Sequence, residues 1–143
     1  DVIVCNHIYE HVPHANQMMD EIYRVLKGEG FCYFSAGNKF MVFEGHYGLP
    51  FLSWVPKYAA DLYLRITGKG HSYYEEHRSL HGLEKLVHRF RIHDYTLSII
   101  RDPDKFFATD LFDTRSLQYK VVRFLAPFLY RWIPTYIWVL TKK

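Results

Sequence analysis

The sequence predicts an α/β fold with a parallel sheet, and three observations carry that prediction. An apolar, β-branched run at Val2-Ile3-Val4-Cys5, a helical stripe at Ala15, Met18, Met19, Ile22, Val25 and Leu26, and a second apolar run at Phe31 to Phe34 follow one another with short links. A strand, a helix and a strand so joined make a right-handed crossover between parallel neighbours. With 143 residues, 49% of them hydrophobic, the chain has the size and apolar content of one globular domain.

Each element has its own local reason. Residues 2–5 read as a buried parallel strand because apolar side chains occupy consecutive positions. Asn6 to His14 form a polar, His-rich connection closed by Pro13. The helix that follows carries Lys27 near its negative end and is stopped by Gly28 and Gly30. Residues 39–79 lose all periodicity, hold many aromatics and five of the glycines and prolines that break regular structure between Gly45 and Gly68, and leave room for one short helix, Lys57 to Thr67. An insertion of that length is expected to act as a lid. Leu80, Leu83, Leu86, Val87 and Phe90 give a further helical stripe, and residues 91–100, rich in β-branched side chains, read as a strand. Residues 102–134 form a second insertion, with a helix through Leu117, Val121, Leu125 and Leu129 kinked at Pro127. Thr135 to Thr141 reads as the closing strand.

The balance of charge narrows the partners. A net charge of +3, spread along the chain, supplies no basic groove, so nucleic acid is not an expected partner. Cys5 and Cys32 both lie in strand-like runs and read as buried reduced thiols of a cytoplasmic protein. No basic leader precedes the first apolar run, which starts at Val2 as though in mid-fold. The most apolar tail, Phe124 to Leu140, is interrupted by Pro127, Arg131 and Pro134, short of the ~18 clean residues that a membrane span needs. Lys120, Arg123, Arg131, Phe128 and Trp132 form an alternative peripheral membrane contact within 120–134.

The segment Asp1-Val2-Ile3-Val4-Cys5-Asn6-His7-Ile8-Tyr9-Glu10-His11-Val12 resembles the fourth-strand motif of small-molecule class I S-adenosylmethionine-dependent methyltransferases, in which an apolar strand ends in a polar residue and a Leu-Glu-His-Val-like turn. Met19 to Gly30 resembles the next helix with its Arg-Val-Leu-Lys-Pro-Gly-Gly ending, although Gly28 and Glu29 replace Pro and Gly. Phe34-Ser35-Ala36-Gly37-Asn38 resembles the loop after the fifth strand. The resemblance implies the C-terminal half of a Rossmann-like methyltransferase sheet, strands four to seven, with residues 91–100 and 135–141 as the sixth and seventh and the last antiparallel. In domain terms it gives a core at 1–38, a lid-like insertion at 39–79, a helix and strand at 80–101, a second insertion at 102–134 and a closing strand at 135–143.

The resemblance also implies S-adenosylmethionine as cofactor, met here by Asn6, His7 and Ile8. The family's Gly-rich loop and ribose-binding acidic residue have no counterpart in these residues, so the activity it implies is that of a parent protein, the isolated chain being inactive. That activity is methyl transfer, expected to an oxygen of a small or a lipid- or glycan-type acceptor. His7 and His11 are the candidate general bases, since imidazole titrates near neutrality. His71, Tyr73, Tyr74 and Arg78 in the lid are the candidate substrate contacts. No residue is assigned as a metal ligand. The spacing His7, Glu10, His11 leaves a metal-binding protein as one alternative, while Pro13 argues against the long helix of a zinc-peptidase His-x-x-Glu-His. A non-catalytic, strand-mediated interaction module, homodimeric through an exposed edge at residues 2–5, is the other.

Overall fold

Strand and helix alternate where the apolar spacing switches between the two periods. The computed structural model describes residues 1–143 and contains β1 (Val2–Asn6), α1 (Ala15–Val25), β2 (Phe31–Gly37), α2 (Lys57–Thr67), α3 (Leu80–Leu86), β3 (Phe90–Asp94), α4 (Thr96–Arg101), α5 (Leu117–Leu125) and β4 (Thr135–Lys142). β1 and β2 are parallel, with Val2 opposite Phe31 and Asn6 opposite Ser35. β4 runs antiparallel between β2 and β3, giving the order β1-β2-β4-β3. The α/β class and the antiparallel closing strand are therefore as the sequence predicts.

One face of the sheet carries the core. Cys5, Cys32, Phe34, Ala36, Tyr136, Trp138 and Leu140 alternate along three strands and pack against Ala15 and Met19 of α1 and Leu83 and Leu86 of α3. Burying a side chain of this size contributes about 1.5–3 kcal/mol, which is why α1 turns its Ala15–Met19 stripe inward and leaves Val25 outside. The other face has no helical layer. Val2 and Val4 are 57% and 63% exposed, Phe31 is 39% exposed, and Tyr33, Ile137 and Val139 are half-buried. This corrects the expectation of a buried first strand. β1 is an edge strand, and its consecutive apolar positions serve a sheet bare on one side.

The expected strand over 91–100 is also corrected. β3 ends at Asp94, and residues 96–101 form α4. Asp94 Oδ1 accepts the Thr96 N–H at 2.8 Å, while Thr96 Oγ1 accepts the Ile137 N–H at 3.0 Å. That local turn starts a helix whose Thr96 and Ile100, four residues apart, are buried together. Packing outweighs the β preference of the branched residues. α5 begins at a Ser116 cap, whose Oγ accepts the Tyr119 N–H, and stops at Leu125, so Pro127 terminates the helix rather than kinking it.

Candidate functional site

The site lies at the carboxyl ends of β1 and β2, where ligands bind in open α/β sheets. After Asn6 the backbone turns sharply: His7 takes a left-handed conformation at φ 50°, and its N–H donates to the Ser35 carbonyl at 2.9 Å. A residue with a Cβ rarely adopts that conformation, and such strain concentrates where a side chain must be aimed. A single helical turn, Tyr9–His11, follows.

That turn buries a carboxylate. The Glu10 side chain has no exposed surface, and its Oε1 lies 3.0 Å from His7 Nδ1. Burial, the largest single influence, raises the Glu10 carboxyl, but the His7 hydrogen bond, a backbone N–H and the nearby His7 and His77 rings together outweigh it and hold the group below its ordinary range. An ionised Glu10 makes His7 Nδ1 the proton donor and leaves Nε2 free to accept. Glu10 Oε2 is buried with no partner.

The 39–79 insertion, the expected lid, folds back onto this turn. Asn38, fully buried, donates through Nδ2 to the carbonyls of Arg131 and Ile133 and so ties the lid's root to the segment before β4. The Glu76 N–H donates to the Glu10 carbonyl, and the Arg78 N–H donates to Tyr9 Oη, each at 2.9 Å. Within the lid, Leu49, Leu52, Ala60, Leu64 and Tyr73 form a small second core. Glu44 is buried in the loop before α2. Its carboxylate accepts the His46 and Tyr47 N–H groups at 2.9 Å and meets His46 Nδ1 at 2.8 Å and His77 Nε2 at 3.5 Å. Burial opposes the charge, but the His77 and His46 contacts and the two backbone donors bring the Glu44 carboxyl down to about 2. His46 is raised, chiefly by its hydrogen bond to Glu44. The His77 ring is enclosed, and neither nitrogen closes a well-aligned hydrogen bond. A Cβ at position 37 would sit 3.0 Å from that ring, which is why glycine ends β2.

The sequence-predicted residues divide accordingly. His7 and His11 stand on the turn with Asn6 and Ile8 beside them, and Arg78 reaches it through Tyr9. His71 and Tyr74 stay on the lid's outer surface, and Tyr73 belongs to the lid's own core, its hydroxyl buried and unpartnered. Glu44, His46, Glu75 and His77 escape sequence reading because nothing periodic marks a loop residue that returns to the site only in three dimensions. Two clefts lie elsewhere: about 340 Å³ lined by Arg101, Asp102, Tyr119 and Arg123, and about 320 Å³ lined by Phe40, His81, Arg131 and Trp132.

Residues 1–34 match the methyltransferase domain family. No curated protein matches the chain. Among solved structures, a mycolic acid cyclopropane synthase complexed with SAH and CTAB is similar at 15% identity and a TM-score of 0.45, covering 100% of this chain and 55% of its own. The apo form of the same enzyme gives 15% identity and a TM-score of 0.34, with 100% and 58% covered. The chain thus spans a little over half the length of these structures. The matched residues run from β1 through the Tyr9–His11 turn and α1 into β2.

Proposed function

We propose that this chain supplies one wall of the cofactor site and the acceptor-side lid of an S-adenosylmethionine-dependent methyltransferase acting on an oxygen of a lipid- or glycan-type acceptor. The observation that carries the reading is that the family match falls on the strained turn where His7, Glu10 and His11 stand, and that the lid is hydrogen-bonded to that turn. The residues present fit part of the group. The open ends of β1 and β2 offer Asn6, His7 and Ile8 beside a buried carboxylate, and the Gly-rich loop of a full cradle is not among these residues.

Bound there, S-adenosylmethionine supplies an activated methyl group. The chain's own work is to align an acceptor hydroxyl and take its proton. His7 Nε2 is the acceptor of that proton, and Glu10, buried and ionised behind Nδ1, stabilises the imidazolium that forms. His11, exposed on the same turn, is the alternative base.

A lipid-linked acceptor is favoured by the second insertion. Leu117, Phe124 and Phe128 are 76%, 71% and 73% exposed, Trp132 is half exposed, and residues 114–134 hold Arg115, Lys120, Arg123 and Arg131 with no acidic side chain. That combination suits the headgroup region of an anionic bilayer. No helix is long and apolar enough to cross a membrane.

The test is calorimetric titration of S-adenosylmethionine into the protein that carries this chain, paired with a methyl-transfer assay on lipid-linked and soluble glycans. The expected results are saturable binding by the unmodified protein and a 10²–10⁴-fold lower transfer rate in His7→Ala. Absence of cofactor binding would reject the reading.

The bare sheet face favours one second reading, a strand-mediated association through β1, whose outer edge has no partner. Sedimentation would show a concentration-dependent dimer that Val4→Lys disrupts; a monomer at all concentrations rejects it.

A further inference from the structure

We propose that His11, His46 and Glu75 form a site for one divalent transition-metal cation, best suited to Zn²⁺, that clips the lid to the turn after β1. One ligand atom from each residue lies within 4.8 Å of the other two. The three come from different stretches of chain: the turn after β1, the lid on its way out and the lid on its way back. Two imidazole nitrogens and one carboxylate are a set that binds zinc and keeps a position open, and they disfavour Mg²⁺ or Ca²⁺, which prefer oxygen. Zinc ligands at ~2.0–2.2 Å from the metal sit roughly 3.4 Å apart, so the side chains must close by about 1 Å. His11 and His46 are exposed and already meet edge to face, ring centroids 4.8 Å apart, so the closure falls to rotation of the His11 and Glu75 side chains toward a held His46.

Two further observations point to a ligand. Glu44 holds His46 Nδ1 at 2.8 Å and is itself fixed by the backbone N–H groups of His46 and Tyr47. A carboxylate behind one imidazole nitrogen fixes the tautomer and presents the other, which is how metal-binding histidines are held. Independently, Glu10, the neighbour of His11, has a fully buried side chain whose Oε2 has no partner. The trio His7, Glu10, His11 suggested by sequence spacing is not the set that converges: His7 Nδ1 and Glu10 Oε1 meet at 3.0 Å, but His11 gathers with His46 and Glu75. Occupation would join the lid to the site wall, and it stands whether or not the chain takes part in methyl transfer.

The experiment equilibrates the purified protein with Zn²⁺, removes free metal by gel filtration and measures bound metal, with Co²⁺ substitution as a spectroscopic check. Wild type is expected to hold about one zinc per chain, to show visible Co²⁺ ligand-field bands and to melt roughly 5–10 °C higher at a hundredfold excess over Kd. His11→Ala/His46→Ala and Glu75→Gln, confirmed as folded by circular dichroism, should each lose most of the metal and the melting shift, and His7→Ala should keep both. Metal-free wild type, full retention by the double variant, or equal loss in His7→Ala would each overturn the assignment.

Discussion

Tyr9 Oη accepts the backbone N–H of Arg78 at 2.9 Å and donates to the Gly37 carbonyl at 2.5 Å, so one buried hydroxyl joins the turn after β1, the end of β2 and the returning lid. Tyr9→Phe removes both bonds and strands two backbone groups away from water. The expected cost is about 1–3 kcal/mol of stability, read from urea denaturation, together with faster proteolysis within residues 39–79. Unchanged cleavage would show that this hydroxyl does not hold the lid.

The Glu44–His46 pair gives stability a defined dependence on pH. Glu44 is depressed from 4.5 to about 2, so its contribution is complete above pH 4.5 and is lost as pH falls from there toward 2. His46 is raised above 6.5, so its contribution is complete below pH 6.5 and is lost as pH rises through the raised value. With its side chain 43% exposed, His46 supplies the smaller part. Glu44→Gln should therefore cost most between about pH 4.5 and 6.5, on the order of 1–3 kcal/mol, with the difference shrinking toward pH 2. A difference in unfolding free energy that stays constant over this range would contradict the account.

Cys5 and Cys32 are free, and each is almost wholly buried. Burial pushes their thiols up to about 11 and about 12. Thiolate is the reactive form, so at pH 8 both should react with a thiol reagent ~10²-fold or more slowly than in denaturant. Rapid labelling of the native protein would mean that β1 detaches from β2.

The exposed apolar residues of α5 and the segment after it predict binding to vesicles containing anionic lipid. Phe124→Glu together with Phe128→Glu should abolish cosedimentation without loss of melting temperature, since both side chains are more than two-thirds exposed. Binding that survives the double substitution would place the contact elsewhere.

Much of this was legible in the sequence. The 3.6-residue period locates α1, the run from Lys57 to Thr67 is the span of α2, and residues 135–141 read as the closing strand that β4 forms. The reading failed at residues 96–100 because branched side chains favour strands locally, while the Asp94 side chain capping Thr96 starts a helix. It failed at Val2 and Val4 because apolar spacing does not report whether a second layer exists. In the site, His7, Glu10 and His11 stand out because they are close in sequence. His46 and Glu75 do not, since their meeting with His11 depends on the path of a 41-residue insertion, residues 39–79.

The strand order carries a consequence for how the chain is made. β4 lies between β2 and β3, and Phe31 pairs with Thr141 across almost the whole sequence. Until Thr135 to Lys142 has been made, β2 lacks its antiparallel neighbour and β3 has no strand to pair with. The sheet closes in a single late step, when Thr135 to Lys142 enters the gap. During synthesis the apolar side chain of Phe34 therefore depends on Trp138 of that strand for shelter, and co-translational binding by a chaperone should end when β4 docks.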